Sequence, residues 1–371
     1  MKDYSDHIGI VGGGIAGLSL GCFLANKDIP SVIFERSAHL REGGAGISLS
    51  PNAINLLEQL DLIEHLFKEG LFSEKINFLD DEAFITSVDS RVCCISRERL
   101  VNILYKKYLE LGGKVRFDHE FISFNPTTKV TQFQNSQTYK IWHLAACDGI
   151  KSTIRDKYFK NKEAPVYSGY SAWRCIGQNS TKDAYLQLSP RKHLVLYPIS
   201  KTLSSFVGVI KTSTQQQESW IQEGDIEELK TDIGLMSKYH LATVNSADKF
   251  YKWGIYIRPV SNQYCTDSMT LFGDAAHPIV PFLGQGGCLS IEDGYVFSDL
   301  LSNANDFKEV QDKYEKIRMP RVKLITRLSK EQAVHNHISN PLVRKARNFI
   351  MSKTNIITVS YTHLRAHETR T

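Results

Sequence analysis

The stretch HIGIVGGGIAGLSLGCFLANKDIPSVIFE (residues 7–35) alternates a short apolar run (Ile8 to Val11), a glycine turn, a helical stretch (Ile15 to Asn26) and a β-branched run (Ser31 to Glu35). That pattern is a βαβ unit. In its turn, Gly12 permits the tight bend, Gly14 lets backbone approach a pyrophosphate, and Gly17, after Ala16, lets helix pack closely on strand. The N-terminus of the helix then faces the phosphates with its partial positive charge. Glu35 ends the second strand at the distance expected of a ribose ligand. Its carboxylate repels a 2′-phosphate, so the adenosine suits FAD or NAD rather than NADP, despite Arg36 beside it. The rival reading is a glycine-rich turn with no ligand.

Beyond this unit, Ile54, Leu57, Leu60 and Leu62 predict a helix from Pro51 to Phe67, and Leu100, Ile103, Leu104 and Tyr108 predict another from Arg97. From Tyr167 to about Ile257, alternating runs such as His193 to Tyr197 and Ser204 to Ile210 read as antiparallel strands of an inserted sheet. A strand at Ser268 to Phe272 returns the chain to its first domain, and Phe307, Val310, Tyr314 and Ile317 mark a helix that Pro320 ends or kinks. The fold class is α/β: a doubly wound Rossmann-like cofactor domain, an inserted mainly antiparallel β-sheet substrate domain and C-terminal helices. Residues 1–75, 95–160 and 265–330 are assigned to the first domain, 76–94 and 161–264 to the sheet domain, and 331–358 to a C-terminal helical segment. Residues 359–371 (VSYTHLRAHETRT) lack apolar periodicity and resemble the translation of a sequencing adaptor, so they read as a non-native or disordered tail.

With 371 residues, 42% hydrophobic and 23% charged, the chain can build large cores. The formal charge of +5 is spread without a run of five like charges, which suggests an anionic cofactor or substrate and disfavours nucleic acid. Seven cysteines without a C-x-x-C pair argue against a disulfide framework and a structural zinc site, and fit a reducing cytoplasm. No metal is expected. Glycines interrupt the uncharged stretch from His7 to Leu24, so neither a signal peptide nor a stable membrane insertion is expected.

Gly273-Asp274-Ala275-Ala276-His277-Pro278 follows an apolar strand and precedes Pro281 and Gly284-Gln285-Gly286-Gly287. With Asp148-Gly149-Ile150-Lys151-Ser152-Thr153-Ile154-Arg155 between the fingerprint and this segment, the chain resembles the FAD-dependent aromatic hydroxylases of the para-hydroxybenzoate hydroxylase type, over roughly residues 6 to 330. Its texture is similar to that of salicylate, 6-hydroxynicotinate and urate hydroxylases through Gly44-Ala45-Gly46-Ile47-Ser48, Pro51-Asn52-Ala53, Tyr167-Ser168-Gly169 and Trp173-Arg174. The resemblance implies that Asp274 binds the ribityl chain while backbone at Gly284, Gln285, Gly286, Gly287 and Cys288 lies along the flavin ring. It places Arg97 at the flavin's phosphate or ribityl region, Ser48 along the flavin and Phe121 at the adenine end. It associates Asp148 with both FAD and the nicotinamide donor, with Arg155 as basic partner. Plainer readings remain open: Asp274 as a helix cap, Arg97 in a surface ion pair, Phe121 as core and Asp148 as structural support. A helix beginning near Gly287 would aim its positive end at the negative charge of a reduced flavin.

The implied reaction reduces FAD with NADH or NADPH, forms a flavin C4a-hydroperoxide from O2 and passes one oxygen atom to a small phenol or aromatic acid. No second glycine fingerprint appears, in keeping with a donor that visits transiently. An apolar pocket with few polar anchors is expected, walled on the flavin side by Pro281 and Phe282. Arg174, His193 and Tyr197, on the inserted sheet, could orient a carboxylate or help remove a phenolic proton. Each has a plain alternative: an acid partner for Arg174, solvent for His193, packing for Tyr197. Urate hydroxylases carry an arginine near the place of His193, and 6-hydroxynicotinate hydroxylases a histidine at that of Ser48, departures that weigh against both substrates. The halogenase signature W-x-W-x-I-P is not reproduced around Trp253. The alternatives are a relative acting on a larger polyketide, quinone or tetracycline or performing epoxidation, and a flavin-binding NAD(P)H oxidase that yields only peroxide. A monomer or homodimer is expected.

Overall fold

A computed structural model describes residues 2–40, 45–160, 163–214 and 222–354; Gly44, the tail at 359–371 and the last residues of the 331–358 segment lie outside the described residues. The chain opens with β1 (Lys2–Val11), α1 (Ile15–Ala25) and β2 (Ser31–Phe34), the expected βαβ unit. Next come β3 (Gly46–Leu49), α2 (Pro51–Glu58), α3 (Ile63–Glu69), β4 (Leu71–Asp80), β5 (Ala83–Ser96) and α4 (Arg97–Glu110). They are followed by β6 (Lys114–Arg116), β7 (Phe121–Asn125), β8 (Val130–Phe133), β9 (Thr138–Ala146) and α5 (Thr153–Tyr158). The inserted stretch holds β10 (Val166–Gln178), β11 (Ala184–Ser189), β12 (Lys192–Pro198), β13 (Leu203–Lys211), β14 (Glu223–Gly224), α6 (Ile226–Ile233), α7 (Lys238–Asn245) and β15 (Phe250–Ile257). The chain continues through β16 (Cys265–Thr266), β17 (Met269–Leu271), α8 (Gly286–Asn303), α9 (Phe307–Asn336) and α10 (Pro341–Lys353).

In the first sheet β6, β2, β1, β9 and β17 run parallel, with β1 and β9 as neighbours. From β1 the chain steps one way to β2 and β6 and later returns on the other side as β9 and β17. The carboxyl ends at this reversal are where doubly wound sheets hold ligands. The strands are buried on both faces, which is why Ile8 to Val11 and Ser31 to Phe34 read as continuous apolar runs. Helix α1 packs close against α8 because Gly294 brings α8 to the backbone of Leu20, where an added Cβ would come within 2.9 Å.

The second sheet has nine strands in the order β14-β15-β10-β13-β12-β11-β4-β5-β3. One face is covered by α6 and α7, with Trp173, Leu194, Leu196 and Phe206 packed on Leu229 and Ile233. On the other, Ala172, Val209 and Trp253 meet Val280, Phe282 and Ala333 of the first body. This sheet reaches past the 76–94 and 161–264 blocks, taking in the whole of β4 and β5 and also β3.

One expectation changes and another, at Pro320, is narrowed. The predicted helix from Pro51 to Phe67 is two helices, because Asp61 adopts φ 56° and the Leu62 N–H turns back to the Leu57 carbonyl at 3.1 Å, burying Leu60 and Leu62 together. Pro320 does not end its helix. α9 continues to Asn336, since Arg318 on one side of the proline and Val322 and Ile325 on the other are buried and hold both halves in place. Among the described residues no helix is long and apolar enough to cross a membrane.

Candidate functional site

Gly12 sits at φ 110°, and a Cβ there would lie 2.3 Å from the Cys147 carbonyl oxygen, so the turn after β1 must be glycine to pass the end of β9. A Cβ on Gly17 would lie 1.9 Å from the Gly12 carbonyl oxygen, which explains that glycine by packing alone. Gly14 differs. A Cβ there would meet no described residue within 4 Å, and α1, which it begins, has no side-chain cap from a described residue. An uncapped helix N-terminus facing open space suits an anion. Half-buried Glu35 accepts the Gly13 N–H at 2.7 Å on one carboxylate oxygen and the Ser37 N–H at 2.9 Å on the other, leaving lone pairs for ribose hydroxyls. Arg36 is exposed beside it. Phe121 is buried against Tyr158 at the start of β7, near Glu35 because the His119 N–H donates to the Glu35 carbonyl.

A second segment lies against the first: a Cβ on Gly273 would come within 2.9 Å of the Ala16 methyl. Gly273–Ala275 forms a short 3-10 turn at the carboxyl end of β17, and Asp274 stands exposed among buried neighbours. Arg155, fully buried at the start of α5, donates from its guanidinium to the carbonyls of Ala275, Ala276 and Pro259 at 3.1–3.3 Å. It is thus a brace for the Asp274 turn. Asp148 accepts the Ile154 N–H at 3.2 Å and so steadies the start of α5. Burial pushes its carboxyl above the ordinary value.

Gly284 takes a left-handed φ of 65° beside the Ser48 hydroxyl, and α8 starts at Gly286 without a side-chain cap. A Cβ on Gly286 would again meet no described residue within 4 Å, whereas one on Gly287 would strike Ile47 at 2.6 Å. Gln285 is turned inward: its amide donates to the Ser50 hydroxyl at 2.8 Å and accepts from Asn52 at 3.2 Å, so only its backbone can face a ligand. The Cys288 thiol is buried under β3 and pushed up to about 11 by that burial.

Sequence reasoning missed the ion network beneath these turns. Asp293 accepts from His277 at 2.6 Å, from the Gly273 N–H at 2.9 Å and from Arg318 at 2.7 Å. Arg318 also reaches Glu292 at 2.6 Å, and Glu292 is further bound by Arg321 at 2.9 Å and Asn52 at 2.7 Å. Burial pushes both carboxyls up. His277 and Arg318 at Asp293, and Arg318 and Arg321 at Glu292, outweigh it and hold them below their ordinary values.

Across from the turns, strand register puts Arg174, His193 and Tyr197 on one face of the second sheet. Arg174 pairs with Val207, itself opposite Val195, while His193 lies opposite Val209 and Tyr197 opposite Ser205. Phe282, buried, stands edge-on to His193 with ring centres 5.2 Å apart, while Pro281 is exposed. His193 does not face solvent: it is buried, with Nδ1 2.7 Å from Nε2 of His337, a residue the sequence reading did not single out. Arg174 is buried over the rings of Tyr251 and Trp253 at 5.3 and 5.0 Å. Burial, with exposed Arg97 adding repulsion, lowers its guanidinium to about 10. Burial raises the Tyr197 hydroxyl well above its ordinary value.

The first set of residues fits a flavin dinucleotide. Two uncapped, glycine-lined helix N-termini, at Gly14 and Gly286, have no described residue within 4 Å of an added Cβ, and Asp274, exposed, belongs to a turn packed against the first of them. The first could hold a pyrophosphate, the second a ring that gains negative charge on reduction.

The sequence pattern of the FAD binding domain family matches residues 6–329. The 3-amino-4-hydroxybenzoate 2-monooxygenase of Streptomyces platensis is 27% identical over 359 residues, covering 91% of this chain and 90% of that protein. The 3-hydroxybenzoate 6-hydroxylase of Klebsiella oxytoca is 26% identical over 367 residues, covering 92% and 91%. The fold is that of Klebsiella pneumoniae HpxO complexed with FAD and uric acid, at a TM-score of 0.85 over 97% of each chain and 18% identity.

Proposed function

This chain belongs to the FAD-binding-domain family of flavin-dependent aromatic hydroxylases and is an FAD-dependent monooxygenase; on that premise we propose that it inserts one atom of O2 into a small aromatic acid or phenol, with NADH or NADPH as donor. The observation that carries the substrate class is the wall opposite the cofactor turns, where Arg174, His193 and Tyr197 share a sheet face with Val207 and Val209 beside Phe282 and Trp253. Bound FAD supplies the electron transfer and the activation of O2. The chain's residues do the rest. The buried wall excludes water, Arg174 offers a cation to a carboxylate or phenolate, and Phe282 packs on the ring.

In keeping with this reading, Gly14, Glu35, Arg97, Phe121 and Asp274 bind the adenosine, phosphate and ribityl parts of FAD, while Ser48 and the Gly284 to Cys288 backbone line its ring. The test is aerobic donor oxidation by FAD-loaded protein against a panel of hydroxylated and aminated benzoates and phenols, with product and peroxide both measured. Hydroxylated product matching oxygen consumed is expected. Peroxide in full stoichiometry with every compound, or turnover confined to multi-ring substrates, would overturn the proposal.

A further inference from the structure

His193, in β12, and His337, just past α9, come together from parts of the chain 144 residues apart. Rings enclose the pair: Phe282 stands against His193, and Tyr170 packs on His337 with centres 5.3 Å apart. Burial lowers both imidazoles, His193 with a contribution from its neighbour, His337 to about 4 with one from Lys211. Both rings are therefore neutral, and the Lys211 ammonium adds to the lowering at His337.

A neutral imidazole carries one N–H and one lone pair, so the 2.7 Å contact holds a single proton and fixes both rings together. If His193 donated from Nδ1, His337 would have to carry its own proton on Nδ1. That nitrogen is buried without a hydrogen-bond partner, and an orphaned buried N–H is the rarer and costlier defect. If His337 donates from Nε2, its buried Nδ1 is only a lone pair. His193 then carries its proton on Nε2, a nitrogen that makes no hydrogen bond to a described residue and is not sealed as Nδ1 of His337 is.

We propose that His337 is a positioning residue that fixes His193 as a hydrogen-bond donor, presenting Nε2–H to an anionic oxygen, a carboxylate or phenolate, on the aromatic substrate. The assignment rests on the reading of this sheet face as the substrate wall. It narrows the substrate to rings that already bear an oxyanion, for which Arg174 on the same face is the complementary cation. It also takes proton removal from the substrate away from His193, whose outward nitrogen is occupied.

The test uses the FAD-loaded full chain labelled with 15N-histidine, with the His193 signals identified by their loss in His193→Gln. At neutral pH the wild type should show His193 protonated on Nε2. His337→Phe keeps a ring but removes the donor and should shift His193 toward the other tautomer; His337→Gln, whose amide N–H can donate, should restore it. For an accepted aromatic acid, kcat/KM should fall about tenfold in His337→Phe and recover in His337→Gln. His193 protonated on Nδ1 in the wild type, or a tautomer unchanged in His337→Phe, would sink the assignment even if that variant proved unstable, since the wild-type spectrum stands by itself. The spectrum needs no turnover. Failure of every aromatic to be hydroxylated would count against the functional reading alone, and normal hydroxylation with an Nδ1 proton on His193 against this inference alone.

Discussion

At Gly14 and Gly17 one motif serves two purposes, and substitution separates them. Gly14 has φ −83°, which any residue adopts, and an added methyl there meets no described residue within 4 Å. Gly14→Ala should therefore leave the melting temperature of FAD-free protein unchanged and weaken FAD binding by about tenfold or more, read by fluorescence titration. Gly17→Ala forces a carbon onto the Gly12 carbonyl and should give no folded protein. A Gly14→Ala chain that binds FAD normally would remove the pyrophosphate from this turn. Arg155→Met should cost about 3 kcal/mol in urea unfolding, because it deprives the carbonyls of Ala275, Ala276 and Pro259 of a charged donor. The glycines and Glu35 were legible in the sequence because their signal is local, a turn between strand and helix. Arg155 was named, yet its task was not, since no spacing reports which distant carbonyls a buried guanidinium meets.

Helix α8 joins two functions at opposite sides of its first turns: open N–H groups toward the cofactor space, and Glu292 and Asp293 toward α9. Asp293→Asn should destabilise the protein by about 3 kcal/mol, leaving Arg318 and Arg321 to share the single carboxylate of Glu292. The sign of the pH dependence follows from the same pairs. Both carboxyls lie below their ordinary values of 3.8 for Asp293 and 4.5 for Glu292, so their stabilisation is complete above those values and is lost as pH falls through the lower folded-state values. Chemical unfolding of the wild type should thus weaken below about pH 4.5, and Asp293→Asn should show a shallower acid loss. An equally steep loss in the variant would place the acid-sensitive groups elsewhere. None of this was readable beforehand. Adjacent acids in a helix and an arginine 25 positions later look like solvated charges until α8 and α9 are laid side by side.

For the whole molecule, both the parallel sheet and the antiparallel insertion were legible, because continuous apolar runs and alternating runs differ in period. The closure between them was not. β3 pairs with β5 at the end of the second sheet and then runs directly into α2, whose Asn52 holds Gln285 and Glu292 of the first body. His337 likewise comes from the far end of the helical layer to complete the sheet face. Calorimetry of the FAD-free chain should accordingly give one cooperative transition, and two resolved transitions would show that the sheets melt apart. The placement of β3 has a mechanical consequence. To swing the proposed substrate wall away from the turns at Gly14 and Gly286, the molecule would have to shear β3 from β5 along the register from Gly46–Ser96 to Leu49–Cys93. The halves are laced rather than jointed, so on the proposed function substrate and product would pass by small local displacements and not by a gaping of one half from the other.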